Sequence, residues 1–329
     1  MYSFEELQRI INTAIEIRLQ DLTKKKPAEL YAPVVYVLGM GGKRIRPVLL
    51  LMSYNMFSED IGKALPAAIA IEVFHNFTLL HDDIMDKSSM RRNKPTVHKQ
   101  FSENIAILSG DAMAFLSYKF LTESSVQHIS NVTELFTLTA LEVCEGQQYD
   151  MEFEKRMNVT EFEYLEMIRL KTAVLLGCSL KAGSQLSDAD PDIANQLYLL
   201  GVNLGLAFQL QDDLLDTYGN QEMFGKRIGG DILANKKTYL SVKALETATG
   251  NNKRLLQKWL SDTSASFNEE DKINGVIDIF NKLDIKTITQ SKIDFYFNNA
   301  FKILEDLPLE EKQKITLRSF SKNIKNRKY

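Results

Sequence analysis

Two aspartate motifs have the residue types and the spacing of a cation-binding site. Both read Asp-Asp-x-x-Asp, and each stands at the end of a long apolar stretch. The aspartates are Asp82, Asp83, Asp86, Asp212, Asp213 and Asp216. Because each residue of an α-helix turns by about 100°, the first and last aspartates of a motif share one face. Uncompensated, such neighbouring carboxylates would raise one another's pKa, so a cation is expected there.

The ligand set indicates which cation is bound. It consists of carboxylate oxygens, without cysteine or a cluster of histidines. Oxygen ligands suit hard ions, and Mg²⁺ typically combines one or two carboxylates with water and the phosphate oxygens of a substrate. A single motif is explained about equally well by a solvated helix end. Two motifs, each after an apolar helix, favour a magnesium site.

A basic, glycine-rich loop precedes the first motif. It reads Gly41-Gly42-Lys43-Arg44-Ile45-Arg46-Pro47. Glycine permits a tight turn that exposes backbone N–H groups, and the cations add charge-assisted hydrogen bonds. Beside two aspartate motifs, we interpret this loop as a cradle for a diphosphate group. His75 lies about 20° from Asp82 in helical phase, so it shares the face of that aspartate two turns earlier.

Helical periodicity covers the sequence around these motifs. Apolar residues recur at helical spacing over residues 4–22, and Ala67 to Asp86 is an apolar helical run. Asp190-Pro191 has the residue types of a helix start and leads into the second motif. No segment alternates with a period of two, and no linker divides the 329 residues. We predict an all-α fold, a single-domain helical bundle over residues 1–329 with both motifs in its interior.

Composition excludes several classes of function. A net charge of −3 and a pI near 5.9 provide no basic surplus for nucleic acid. The N-terminus is acidic and amphipathic, unlike a signal peptide. The most apolar window, Ala67 to Leu80, is too short to span a bilayer and contains Glu72, so we expect no transmembrane segment and a cytoplasmic location. Cys144 and Cys178 lie in apolar patterns and are expected to be buried free thiols.

Together these motifs resemble those of the trans-isoprenyl diphosphate synthases, also called the polyprenyl synthetase family. The resemblance also includes Arg91-Arg92, Lys171-Thr172 and the segment from Gly225-Lys226 through Asp231 to Lys236. These matches occur in the family's order from about residue 39 to residue 240. They imply the isoprenoid synthase type of helical bundle, with a central active-site cavity, and a homodimer. Asn93 stands where the family often has glycine, which could change the conformation of that loop.

The resemblance also implies a role for each matching residue. The aspartates of both motifs would hold up to three Mg²⁺ ions per active site. Isopentenyl diphosphate would be bound by Lys43, Arg46, His75 and Arg92. The allylic diphosphate would be bound by Arg91, Lys171, Lys226 and Lys236. The residues that would stabilise the carbocation are Thr172 and Gln209. The floor of the chain-elongation tunnel would be formed by Phe77 and Thr78.

The implied reaction is a Mg²⁺-dependent head-to-tail (1′-4) condensation. Isopentenyl diphosphate would react with dimethylallyl, geranyl or farnesyl diphosphate and release diphosphate. An aromatic Phe77, a small Thr78 and a first motif without insertion are typical of enzymes that make C15 to C20 all-trans products. Three alternatives stay open. They are a longer-chain polyprenyl diphosphate synthase, a terpene cyclase, whose second metal site has a different pattern, and a non-catalytic partner subunit, which generally lacks one motif or the basic residues.

Overall fold

The prediction of an all-α fold is confirmed. The computed structural model describes residues 1–124, 127–219, 229–261 and 268–327, and nearly all regular structure within these ranges is helical. The helices are α1 (Phe4–Leu22), α2 (Ala28–Leu38), α3 (Ile45–Asn55), α4 (Leu65–Met85), α5 (Val97–Gln100), α6 (Glu103–Leu121), α7 (Ile129–Glu154), α8 (Glu161–Ile168), α9 (Val174–Leu186), α10 (Pro191–Tyr218), α11 (Gly230–Leu233), α12 (Tyr239–Thr247), α13 (Gly250–Ser261), α14 (Glu269–Lys282), α15 (Ile285–Asp306) and α16 (Glu311–Lys325). A 3₁₀ turn, Ile61–Ala64, precedes α4, and a π-helical turn, Arg169–Ala173, connects α8 to α9.

Two compact units make up the described residues. The first comprises Met1–Leu138, Cys178–Tyr198 and Leu307–Leu317. The second comprises Thr139–Gly177, Leu199–Asp306 and Arg318–Tyr329. Helices α7, α9, α10 and α16 each contribute residues to both units. The prediction of one domain over residues 1–329 stays a prediction.

Helix α4 forms the core of the first unit and carries the first aspartate motif at its end. Every residue from Ala67 to Phe74 is buried, and the helix packs against α1, α3 and α6. Gly110 of α6 allows one close approach, because a Cβ at this position would collide with the ring of His81. Apolar burial on all sides explains why α4 lacks the polar face of a surface helix.

In the second unit, α10 packs closely against α9 before it reaches the second motif. A Cβ on Gly201 would lie 2.7 Å from the Cα of Gly177, and one on Gly205 would lie 2.5 Å from the Cα of Ala173. The small residues of α10 therefore accommodate a neighbouring helix. The start of α10 at Pro191 is also as predicted, since the Asp190 side chain accepts a hydrogen bond from the backbone N–H two residues later, at 2.8 Å.

Three features differ from the sequence-based expectations. The described ranges contain one antiparallel hairpin, formed by β1 (Met90–Arg91) and β2 (Lys94–Pro95).

Two helical segments, Ile61–Met85 and Pro191–Tyr218, are long and apolar enough to cross a membrane, although more than half of each apolar window is buried within the protein. The prediction that both thiols are buried is right for Cys178 and wrong for Cys144, which shares an exposed face of α7 with Leu141, one turn earlier.

Candidate active site

The first aspartate motif has one buried carboxylate and two partly exposed ones. Asp83 is only 4 % exposed, and its Oδ2 accepts a hydrogen bond from Arg91 Nε at 2.7 Å. Arg91 Nη2 also lies 3.7 Å from Asp82 Oδ2. Burial raises the pKa of Asp83, and the hydrogen bond from Arg91 offsets this only in part. Asp82 and Asp86, one turn apart, are therefore the more accessible carboxylates of the motif.

The hairpin after α4 positions the arginine pair. Arg92 and Asn93 form its two-residue loop with φ angles of 50° and 60°, and both residues are in the left-handed region that a type I′ turn requires. Asparagine tolerates this conformation better than most residues. The substitution of Asn93 for the family's glycine therefore preserves the turn, and Arg91 points back to the aspartates while Arg92 points to the glycine-rich loop.

The basic loop before α3 has the backbone that its glycines predict. Gly41 and Gly42 have φ angles of 77° and 142°. The guanidinium of Arg92 donates a hydrogen bond to the Gly41 carbonyl, and a Cβ on Gly42 would lie 3.0 Å from that guanidinium. Lys43 is exposed, while its backbone carbonyl accepts a hydrogen bond from Gln8 Nε2 at 2.9 Å. Arg92 therefore lies against the loop that carries Lys43.

A buried ion pair fixes this loop to α4. Arg44, itself at a φ of 51°, turns inward and places Nη1 2.6 Å from Glu72 Oε1. Its Nη2 donates to the Leu38 carbonyl at 2.8 Å, and Asn76 Nδ2 donates to the same Glu72 oxygen at 2.9 Å. Both charges are therefore paired and further hydrogen-bonded, as a buried ion pair requires. The sequence left Arg44 without a role and did not identify Glu72 as its partner.

His75 and Arg46 form the next contact along α4. Arg46 Nη1 donates a hydrogen bond to His75 Nε2 at 3.1 Å. Burial, together with the positive charge of Arg46 and Arg92, lowers the pKa of His75 well below its usual range. The imidazole is therefore neutral near pH 7, and its Nε2 accepts a hydrogen bond while holding the guanidinium in place. Arg46 and Arg92 act on His75, and Lys43 follows the two glycines that Arg92 contacts. We call these four residues, the predicted ligands of isopentenyl diphosphate, the cationic cluster.

The second motif repeats the division between buried and accessible carboxylates. Asp213 is 3 % exposed, and its Oδ2 accepts hydrogen bonds from the Tyr164 hydroxyl and from the Tyr239 backbone N–H, the latter at 2.9 Å. Its Oδ1 accepts from Gln209 Nε2 at 3.3 Å. Burial outweighs these hydrogen bonds and raises the pKa of Asp213 to about 7. Asp212 and Asp216 are the partly exposed members.

Two contacts hold the accessible aspartates of this motif. Asp216 Oδ2 accepts a hydrogen bond from the Asp231 backbone N–H at 3.0 Å. Asp212 pairs with Arg327 from the end of the chain, and the guanidinium of that arginine also lies 4.3 Å from the centre of the Phe208 ring. None of the sequence motifs points to this contact of the basic C-terminal segment.

The predicted carbocation-stabilising pair is in contact, and Lys171 has a partner that the sequence did not assign. The Thr172 hydroxyl donates to Gln209 Oε1 at 3.4 Å. Lys171 Nζ lies 2.5 Å from Asp150 Oδ2 of α7. Both Lys171 and Thr172 belong to the π-helical turn, a feature that often marks functional sites. Gly146 allows α7 to pass this turn, because a Cβ there would collide with the backbone of Lys171.

The remaining predicted residues lie as follows. Phe77 packs its ring against His81, with ring centres 4.8 Å apart, and against Phe74, at 5.5 Å. The Thr78 hydroxyl donates to the His75 carbonyl at 2.8 Å. Lys236 donates its backbone N–H to the Asp231 carbonyl at 2.9 Å, in the segment that leads into α12. Lys226 lies outside the described residues.

The donor set fits Mg²⁺. Each unit presents two partly exposed carboxylates at i and i+4 on one helix face, and the donors are all oxygen. Among the residues that the structure describes, no three carboxylate, histidine or cysteine side chains converge on one point. A bound ion would therefore need further oxygen ligands from water and a phosphate group, which is the usual coordination of Mg²⁺.

Comparisons with known proteins agree with this geometry. The protein-family model described as Polyprenyl synthetase matches residues 27–279. The chain belongs to the polyprenyl synthetase family. One relative in this family, the geranylgeranyl diphosphate synthase of Saccharolobus solfataricus, is 37 % identical over 272 residues, which is 82 % of each protein. The geranylfarnesyl diphosphate synthase of Natronomonas pharaonis is 33 % identical over 92 % of this chain and 94 % of its own.

Solved structures of the family have the same fold. A crystal structure of geranylgeranyl pyrophosphate synthase matches 98 % of this chain and 99 % of its own, with a TM-score of 0.91 and 43 % identity. A geranylgeranyl pyrophosphate synthetase from Pyrococcus horikoshii matches equally large shares at a TM-score of 0.89 and 32 % identity. The resemblance inferred from the motifs is therefore confirmed, and it extends over nearly the whole chain.

Proposed function

We propose that this protein is a Mg²⁺-dependent prenyltransferase that condenses isopentenyl diphosphate with an allylic diphosphate, head to tail, to a short-chain all-trans prenyl diphosphate. The observation that carries the proposal is the presence, in one chain, of two motifs with accessible carboxylates and of the cationic cluster of Lys43, Arg46, His75 and Arg92. One set suits metal-bound diphosphate, and the other suits a second diphosphate without metal. The relatives named geranylgeranyl and geranylfarnesyl diphosphate synthases support the same reaction.

The residues divide between the two substrates. Asp82 and Asp86 of the first unit, and Asp212 and Asp216 of the second, would hold the Mg²⁺ ions, with Asp83 and Asp213 buried behind them. When bound, Mg²⁺ would neutralise the charge that develops on the departing diphosphate. The cations that would contact the allylic diphosphate are Arg91, Lys171, Lys226 and Lys236. The cationic cluster around His75 would orient isopentenyl diphosphate.

The chemistry requires stabilisation of separated charge. The bond between C1 of the allylic group and the diphosphate oxygen breaks and leaves a delocalised allylic cation. The double bond of isopentenyl diphosphate attacks this cation, and loss of a proton from C2 restores an alkene. Thr172 and Gln209 would contact the cation through oxygen, and the released diphosphate would accept the proton. Groups that bind the separated charges more strongly than the ground state lower the barrier.

Product length follows from the residues that precede the first motif. The rings of Phe74, Phe77 and His81 form a row along α4, in which the first two are tilted and the last two are edge to face. We propose that Phe77, with Thr78 beside it, closes the elongation tunnel at C15 to C20. A longer-chain synthase would require this row of rings to open, and a terpene cyclase would not need the cationic cluster, because it binds no isopentenyl diphosphate.

The protein is further proposed to be a cytoplasmic homodimer. Leu108 and Phe115 of α6 are 60 % and 76 % exposed, and they lie two turns apart on one face. Leu138 of the neighbouring α7 is 56 % exposed. This apolar surface of the first unit suits a second copy of the chain. Sedimentation analysis of Phe115→Asp should give a monomer, whereas Phe162→Asp, at an exposed phenylalanine of α8, should stay a dimer.

An assay with defined primers tests the proposed reaction. The purified protein is incubated with Mg²⁺, labelled isopentenyl diphosphate and dimethylallyl, geranyl or farnesyl diphosphate in turn, and product length is read by mass spectrometry. Prenyl diphosphates of C15 to C20 are expected, and an Asp82→Ala, Asp86→Ala variant should form almost none. Cyclic or alcohol products would indicate a cyclase. No product with any primer would contradict the proposal and favour a non-catalytic partner subunit.

A further inference from the structure

Tyr164 is a buried tyrosine of α8 that neither the motifs nor the reaction assigns a role. It is 2 % exposed, and its hydroxyl donates a hydrogen bond to Oδ2 of Asp213. Burial and the charge of Asp213 raise the pKa of this phenol well above its usual range, so it is a permanent donor. Within the part of the chain that the structure describes, the hydrogen-bond partner of this hydroxyl is the second aspartate of the second motif.

The hydrogen bonds beyond Tyr164 run in one direction. Both oxygens of Asp213 accept hydrogen bonds in this arrangement, and Gln209 presents its amide nitrogen to Oδ1 at 3.3 Å. The amide oxygen of Gln209 then faces away from Asp213 and accepts the Thr172 hydroxyl proton at 3.4 Å. With its proton engaged, the Thr172 oxygen has lone pairs available for a positive charge. The orientation of Thr172 therefore depends on contacts that begin at Tyr164.

We propose that Tyr164 is a positioning residue that orients Thr172 toward the allylic cation through Asp213 and Gln209. The inference rests on the proposed prenyl transfer. Tyr164 and the Tyr239 backbone N–H together occupy Oδ2 of Asp213, which fixes the rotation of the carboxylate. Oδ1 is then directed at Gln209 alone among these groups. Without the Tyr164 hydroxyl, the carboxylate loses one of two restraints, and Gln209 can turn its amide over.

Steady-state kinetics of Tyr164→Phe test this role. Loss of one orienting hydrogen bond should lower kcat about ten-fold. The KM values for both substrates and the half-saturating Mg²⁺ concentration should stay within about two-fold of wild type, because no substrate or metal ligand is removed. The matched control is Tyr218→Phe, which removes a hydroxyl that donates to Asn281 Oδ1 at 2.9 Å in the same unit, and it should keep the wild-type kcat.

A double-mutant cycle separates positioning from a general structural effect. In a Thr172→Val background the hydroxyl that Tyr164 is proposed to orient is already absent. Tyr164→Phe should then lower kcat by less than about three-fold. A further ten-fold loss in that background would overturn the proposal, as would an equal loss in Tyr218→Phe. If Tyr164→Phe does not fold, Asp213→Asn interrupts the same chain at its centre and should give the same non-additive loss.

The outcomes also distinguish this inference from the proposed function. A wild-type protein that makes no prenyl diphosphate would overturn the proposed function and the role of Tyr164 with it. An active wild-type protein whose two substitutions are additive would overturn only the role of Tyr164. A large rise in the Mg²⁺ requirement of Asp213→Asn would also overturn it, because Asp213 would then be a metal ligand.

Discussion

Arg44 Nη1 lies 2.6 Å from Glu72 Oε1, and the two side chains are each only 3 % exposed. The pair connects the glycine-rich loop to the buried run from Ala67 to Phe74 in α4, in which Glu72 is the one charged residue. It therefore sets the distance between Lys43, on the loop, and His75, one turn beyond Glu72.

Glu72→Gln should lower the free energy of unfolding by about 3 kcal/mol, because it leaves the Arg44 charge buried without a counter-ion. Urea denaturation measures the loss. Asp60→Asn is the matched control, since the pair of Asp60 with Lys63 is exposed and should contribute less than about 0.5 kcal/mol. Equal losses of unfolding free energy in the two variants would mean that the buried Arg44–Glu72 pair contributes no more to stability than the exposed pair.

Substitutions of His75 should act on isopentenyl diphosphate alone. His75→Leu removes the acceptor that holds Arg46 and should raise the KM for this substrate about ten-fold, with a small effect on kcat. His75→Gln retains an acceptor and should stay within about three-fold. Because the pKa of His75 is lowered well below its usual range, the wild-type KM should show no titration of this residue between pH 6 and pH 8. A titration there that disappears in His75→Gln would contradict the assignment.

Phe77→Ala should lengthen the product. Removal of the Phe77 ring leaves a gap between Phe74 and His81, and a prenyl chain can then extend past this point. Chromatography and mass spectrometry of products from labelled isopentenyl diphosphate give the chain length. Phe162→Ala, at a position 78 % exposed on α8, should leave the product unchanged. The same product from wild type and Phe77→Ala would exclude Phe77 as the floor.

The stability of the second unit should depend on Glu161 and on pH. Burial alone would raise the pKa of Glu161, but hydrogen bonds from Lys243 at 2.7 Å and from Lys292 at 2.6 Å lower it to about 2. A lowered pKa of an acid stabilises the fold above the unfolded pKa of 4.5, and this stabilisation is lost as the pH falls toward 2.

Glu161→Gln should therefore cost about 2 to 3 kcal/mol at pH 7, and the difference from wild type should shrink steadily between pH 5 and pH 3. Thermal unfolding of both proteins across this range measures it. Glu310→Gln, whose partner Lys312 is exposed, serves as the control and should show little difference at any pH. A Glu161→Gln loss that does not vary with pH would indicate a packing effect instead.

Much of the site could be predicted from the motifs, because the relative positions of these side chains are determined by spacing within a few residues. The i, i+4 aspartates, the glycines at positive φ and the face shared by His75 and Asp82 all follow from backbone geometry within a few residues. The sequence could also identify the start of α10 at Asp190-Pro191, since capping is a local interaction.

Contacts between distant residues could not be predicted in this way. Glu72 reads as a polar interruption of an apolar helix, and only the fold reveals that Arg44 reaches it. Asp150 and Tyr164 are likewise distant in sequence from the residues they bind. The burial of Asp83 and Asp213 could have been suspected, because the second residue of an Asp-Asp pair is rotated by about 100° from the first toward the apolar side of the helix.

The π-helical turn Arg169–Ala173 has a consequence for changes in chain length. Such a turn contains one residue more than a continuous α-helix would need. Deletion of a single residue there would join α8 and α9 into one regular helix, and residues that remain in the segment would be rotated by up to about 100° from their present directions. The protein could keep its fold while Lys171 or Thr172 faced the wrong direction. Deletion scanning should therefore find this segment intolerant of shortening even where it accepts substitutions.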